Sequence, residues 1–161
     1  MPTALSVETG SQSTTANSYV TVSEYSTYIT DRHGARNSPS NDQIISFIHN
    51  AMSFFEALNF KGGKATEEQA LQFPRVGLFI DGYGKDSTEI PIEVKEAIFE
   101  IAYAYEQGYG PDAPVQRETS REKVGNLEVN YKTSSADRVL TPAATRALRK
   151  LVIHPLQVVR A

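Results

Sequence analysis

The chain has no cysteine and no tryptophan, only three histidines, and no run approaching the ~20 apolar residues that a membrane-spanning helix requires. Each absence removes a class of chemistry. Without cysteine there is no disulfide and no thiol nucleophile, and the ligand that most zinc sites use is missing. A reducing compartment is compatible with that composition. The histidines, His33, His49 and His154, stand alone. None has the H-x-x-x-H or H-E-x-x-H spacing that puts two ring nitrogens on one helix face. His49 falls on the polar side of its helix, where a solvated ring is expected. The opening MPTALSVETGSQSTTANS has neither a basic start nor an apolar stretch, so no secretory signal is expected. Nucleotide and hydrolase signatures are missing as well: there is no G-x-G-x-x-G and no G-x-S-x-G.

What is present is an ordinary globular composition, 40% hydrophobic and 22% charged over 161 residues. That length suits one domain with appended arms. The net charge of −3 conceals an asymmetry. Residues 1–114 hold 7 Lys/Arg against 15 Asp/Glu, whereas residues 115–161 hold 9 against 4. The basic C-terminal third is therefore expected to meet an acidic surface. That surface is either a partner, protein or nucleic acid, or the acidic part of the same fold or of a neighbouring subunit.

Periodicity points to a mainly α protein: a small bundle of four to five helices with a protruding β-hairpin or strand and extended N- and C-terminal arms. Residues 1–20, rich in Ser, Thr, Asn and Gly, read as an N-terminal arm. The helical core is expected over 21–114. Its first helix runs from an N-cap near Ser23 to Gly34. A second covers 41–59, where Ile44, Phe47, Ile48, Ala51, Met52, Phe54, Phe55 and Leu58 form a wide apolar arc. A short third covers 67–72, and Thr66-Glu67-Glu68-Gln69 matches a capping box ahead of it. A turn-rich DGYGKDS loop follows, whose acidic residues do not fit calcium-loop spacing. A fourth helix covers 91–108 behind Pro91, with Val94, Ala97, Ile98, Ile101, Ala102 and Tyr105 as its stripe. Phe99 and Tyr103 fall off that stripe and are assigned to a subunit interface.

Residues 115–140 read as a β-hairpin or extended insertion, with near-alternation in LEVNYK around Gly125-Asn126. Thr141-Pro142 opens a last helix to 151. Residues 152–161, VIHPLQVVRA, form an apolar docking tail.

The stretch FKGGKATEEQALQFPR (60–75) invites comparison with a phosphate loop, and the comparison fails. Leu58 stands where the first glycine belongs, and Ala65 separates Lys64 from Thr66. Glu96 and Glu100 lie one turn apart but on the face expected to be solvated. No enzyme activity, cofactor or metal site is expected. Nucleic-acid contact is harder to dismiss: Arg117, Arg121 and Lys123, and the helix face of Arg146, Arg149 and Lys150, are positioned to track phosphates. Base stacking needs aromatics among the charges, and residues 115–161 contain one aromatic, Tyr131.

Four blocks, ANSYVTVSEYSTY (16–28), FKGGKATEEQALQFPR (60–75), IPIEVKEAIFEIAY (90–103) and REKVGNLEVNYK (121–132), together resemble tailed-phage proteins labelled DnaT-like single-stranded-DNA-binding proteins. These are similar to head-to-tail adaptor, or head-completion, proteins. One departure is Phe73, where tryptophan is expected before the Pro-Arg pair; another aromatic keeps the packing role. The resemblance implies a ring of about twelve copies below the portal, in the neck of the virion, assembled in the host cytoplasm. Its partners are then the portal protein, a tail or nozzle protein, and double-stranded DNA passing through the lumen without sequence specificity. No membrane is implied. Portal docking is assigned to Val152, Ile153, Leu156, Val158 and Val159. The rival from the family label is a DnaT-like replication protein that binds single-stranded DNA.

Overall fold

The structure, a computed structural model, describes residues 1–34, 39–111 and 140–153, together with the strand backbone of 121–124 and 127–130. It contains four helices: α1 (Val22–His33), α2 (Asn41–Glu56), α3 (Ile92–Glu106) and α4 (Pro142–Leu151). Three antiparallel pairs accompany them: β1 (Gly63–Lys64) with β2 (Arg75–Val76), β3 (Phe79–Ile80) with β4 (Tyr83–Gly84), and β5 (Arg121–Val124) with β6 (Leu127–Asn130). The fold is mainly helical, with a hairpin where the alternation around residues 125–126 predicts one.

Local signals start the helices. Thr21 accepts from the Glu24 N–H at 3.1 Å, and Glu24 accepts from the Thr21 N–H at 2.8 Å. This capping box starts α1 two residues ahead of the expected cap. Ser40 and Gln43 do the same for α2. Thr141 caps α4, with Pro142 in its first turn, as its sequence predicts.

α3 is the hub, packed extensively on α2 and α4 and more lightly on α1. It is buried nearly all round, which corrects the assignment of Phe99 and Tyr103 to a face turned away from the intramolecular core. Phe99 is 5% exposed and stacks on Tyr28 of α1, with ring centroids 4.7 Å apart. The half-buried Tyr103 stacks on His33 at 4.2 Å. The partner that these aromatics call for is α1 of the same chain. Glu100 is likewise buried rather than solvated.

No helix forms over 67–72. Pairing of β1 with β2 closes residues 65–74 into a loop, and the buried Gln69 stitches it. Its Oε1 accepts from the Thr66 N–H at 3.0 Å, and its amide donates to the Leu71 and Pro74 carbonyls. Six residues gain too few helical bonds to outweigh nucleation, and these loop contacts prevail. Lys64 folds back onto the Gln69 carbonyl at 3.2 Å, so this loop cradles itself.

Residues 1–20 are no free arm. The carboxylate of buried Glu8 accepts from the N–H groups of Gly10, Gln12 and Ser13. Gly10 has φ +108, and a Cβ there would meet the Thr88 carbonyl oxygen at 1.9 Å. Only glycine tolerates both constraints. Tyr19 and Val20 then enter the core. At the other end Val152, assigned to portal docking, is also core: it is 5% exposed and bridges to Phe60.

Candidate functional site

Two surfaces carry most of the assigned chemistry, and α4 borders both. The first is the β3–β4 hairpin. Asp81 and Gly82 both have positive φ, 53° and 86°, the paired left-handed geometry that an Asp-Gly turn adopts between two strands. The turn buries Ile80 and leaves Phe79 and Tyr83 exposed, at 61% and 77%. Asp81 Oδ2 then meets Lys150 Nζ at 2.7 Å, which ties the hairpin to α4. Beside Lys150 on that helix, Arg146 and Arg149 are exposed and have no ion pair among the described residues. Aromatic side chains thus stand next to the basic helix face, although they come from a segment outside 115–161. The Asp81-Gly82 dipeptide was the signal for the hairpin; nothing local ties it to residue 150.

The second surface is a cleft of about 120 Å³ between α1, α3 and α4, lined by Tyr28, Arg32, Glu93, Glu96, Arg146, Lys150 and two alanines of α4. Glu100 is held close by. It receives Arg32 Nε at 2.8 Å and the Tyr28 hydroxyl at 3.1 Å, with His33 Nε2 at 3.5 Å. Burial, then the Glu100 charge, push the Tyr28 hydroxyl well above the usual tyrosine range, so it donates without ionising. With Glu100 committed to these contacts, Glu96 and Glu100 do not form a free acid–base pair.

Most other described cations are also engaged. Lys95 pairs with Glu24 at 2.7 Å and Lys85 with Glu89 at 2.9 Å. Arg75 donates to the carbonyls of Phe60, Lys61, Gly62 and Gln72 and lies over the rings of Phe60 and Phe73. The Phe73 ring, which stands in tryptophan's expected place, is fully buried. Among the described residues no group of three His, Asp or Glu could hold a metal ion, and no helix is long and apolar enough to cross a membrane. His49 bonds the Thr3 carbonyl at 2.9 Å.

Of the remaining assigned residues, Ile153 is 55% exposed. Arg121 and Lys123 lie on β5, in register with Asn130 and Glu128. Arg117, Leu156, Val158 and Val159 lie outside the described residues, as does His154.

The helical core, the 121–130 hairpin and the basic α4 define a small helical protein whose unsatisfied groups lie on its surface. The profile of one family, described as "Putative DnaT-like ssDNA binding protein", matches residues 3–161. The chain belongs to that family. No curated protein and no solved structure matches it.

Proposed function

We propose that this chain is a non-catalytic structural subunit, a tailed-phage head-to-tail adaptor. It joins like copies and the portal at the capsid vertex, offers the tail or nozzle protein a platform, and lets double-stranded DNA pass without reading its sequence. The observation that carries this reading is where the uncommitted apolar surface lies. Val76, Phe79 and Tyr83 are exposed within one nine-residue stretch, and Ile92 and Ile153 are exposed elsewhere. Exposed apolar groups of this kind mark contacts with other proteins. The cleft is too small and too polar for a sizeable substrate. Many weak contacts repeated by symmetry then replace a single strong site.

The family description favours a second reading, a DnaT-like single-stranded-DNA-binding protein, more directly than the first. Phe79 and Tyr83 beside the α4 cations suit it, because bases stack on exposed rings while cations hold the backbone. One pair of measurements separates the two. An adaptor is found in purified virions, joins portal, and binds an oligothymidylate weakly. A replication protein is absent from virions and binds that oligonucleotide tightly, with affinity falling steeply as salt rises.

A further inference from the structure

The sequence assigned no role to Glu93, in the first turn of α3. It is only 8% exposed. Lys150 Nζ reaches its Oε1 at 3.3 Å but lies closer to Asp81, and its Oε2 has no donor. A buried carboxylate oxygen without a donor is costly and uncommon. Around it, three cations (Arg32, Arg146, Lys150) face four carboxylates (Glu93, Glu96 and the nearby Asp81 and Glu100). Arg32 is committed to Glu100, and Lys150 is shared with Asp81. What the cleft lacks is one positive charge and one hydrogen-bond donor.

We propose that this cleft is a socket for a basic side chain, guanidinium or ammonium, carried by a partner polypeptide. Glu93 Oε2 accepts its hydrogen bond, and Glu96 supplies the second carboxylate. The Tyr28 ring forms a wall that already carries the Arg32 guanidinium 5.6 Å from its centroid. A space of about 120 Å³ admits a side-chain head group and excludes a nucleotide. Two sources supply this chemistry: the basic residues of 115–161 in a second copy, or a different protein. The inference holds whether or not the chain is an adaptor.

The test titrates isotope-labelled full chain with N-acetyl-arginine methylamide at low salt, with the glutamine analogue as control. Saturable amide shifts are expected in residues 92–96 and 146–150. Glu93→Gln weakens binding at least about tenfold, the loss of one charge-assisted hydrogen bond, and exposed Glu68→Gln leaves it unchanged. Lys150→Gln removes the competing cation and strengthens binding several-fold, so the socket stays testable if the Glu93 variant misfolds. No saturable shift in those stretches, or equal affinity in both Glu93 forms, overturns the proposal and leaves solvent as the only occupant. Sedimentation then identifies the source. Self-association lost in Glu93→Gln points to a second copy, and a monomer that still binds the arginine probe points to another protein.

Discussion

Lys150 near the end of α4 and Asp81 in the β3–β4 turn meet at 2.7 Å across 69 residues of sequence. Both side chains are substantially exposed, so salt screens the pair and it adds little to stability. Its consequence is positional: the exposed rings of Phe79 and Tyr83 stand beside Arg146 and Arg149. Asp81→Asn should leave the melting temperature near that of the parent while removing a negative charge from this surface. Oligonucleotide affinity at low salt, read by fluorescence anisotropy, should rise about two- to threefold. An unchanged affinity would show that DNA does not use this surface.

Phe99 tests whether α1 or another subunit covers α3. Its ring is 5% exposed against Tyr25 and Tyr28. Phe99→Ala should therefore cost about 3–5 kcal/mol in urea unfolding of the monomer. Tyr103 is half-buried on His33, and Tyr103→Lys should cost about 1 kcal/mol, the worth of one ring pair. A monomer indifferent to Phe99→Ala would restore the subunit-interface assignment.

These two aromatics mark where the sequence stops being legible. The four helices are readable because their starts are local: Ser40 with Gln43, Thr141 with Pro142, and apolar arcs one turn apart. The 121–130 hairpin is readable from alternation around Gly125-Asn126. Burial of Phe99 and Glu100 depends on α1 crossing α3, a long-range contact with no local signature. The helix expected over 67–72 yields to Gln69, whose loop partners outweigh a six-residue propensity. For the candidate site, the cations of α4 are visible as a helix face, and the aromatics are not, because the Lys150–Asp81 contact assembles them from distant segments.

Glu56 lies in a network: the Tyr19 hydroxyl donates to it at 2.7 Å and the Gln72 N–H at 2.8 Å. Burial raises its carboxyl above the ordinary value of 4.5, although these hydrogen bonds pull the other way. A raised folded-state value means that the native protein binds the proton more tightly than the unfolded chain does. The group's stabilising contribution is then full below pH 4.5 and falls as the pH rises through the folded value. Glu56→Gln loses an acceptor for Gln72 and should cost about 1–3 kcal/mol. The gap between parent and variant should narrow as pH rises above 4.5. A gap that widens would mean the folded protein favours the carboxylate.

Arg75 is 7% exposed and satisfies carbonyls of Phe60, Lys61, Gly62 and Gln72, plus the Gln72 side chain at 2.9 Å. A lysine has neither the planar fork nor enough donors to replace it. Arg75→Lys should cost about 2–4 kcal/mol, since buried carbonyls lose their donors. The damage should be local, opening the 65–74 loop to protease while α3 and α4 remain protected from hydrogen exchange. Uniform loss of protection would show instead that the loop and bundle unfold as one unit.

The end of the chain separates stability from docking. Val152 is core and bridges to Phe60, the Leu151 carbonyl accepts from the Lys61 N–H at 2.9 Å, and the Ile153 N–H donates to Asn59 at 3.0 Å. Deleting 152–161 removes a buried side chain and a stretch of backbone pairing, and should cost about 2–4 kcal/mol. Deleting 154–161 leaves all of these contacts and should melt with the full-length protein. If the apolar residues Leu156, Val158 and Val159 dock on portal, the shorter deletion alone abolishes association with portal in a pull-down. A stable, portal-binding protein truncated after residue 153 would remove the docking role from that segment.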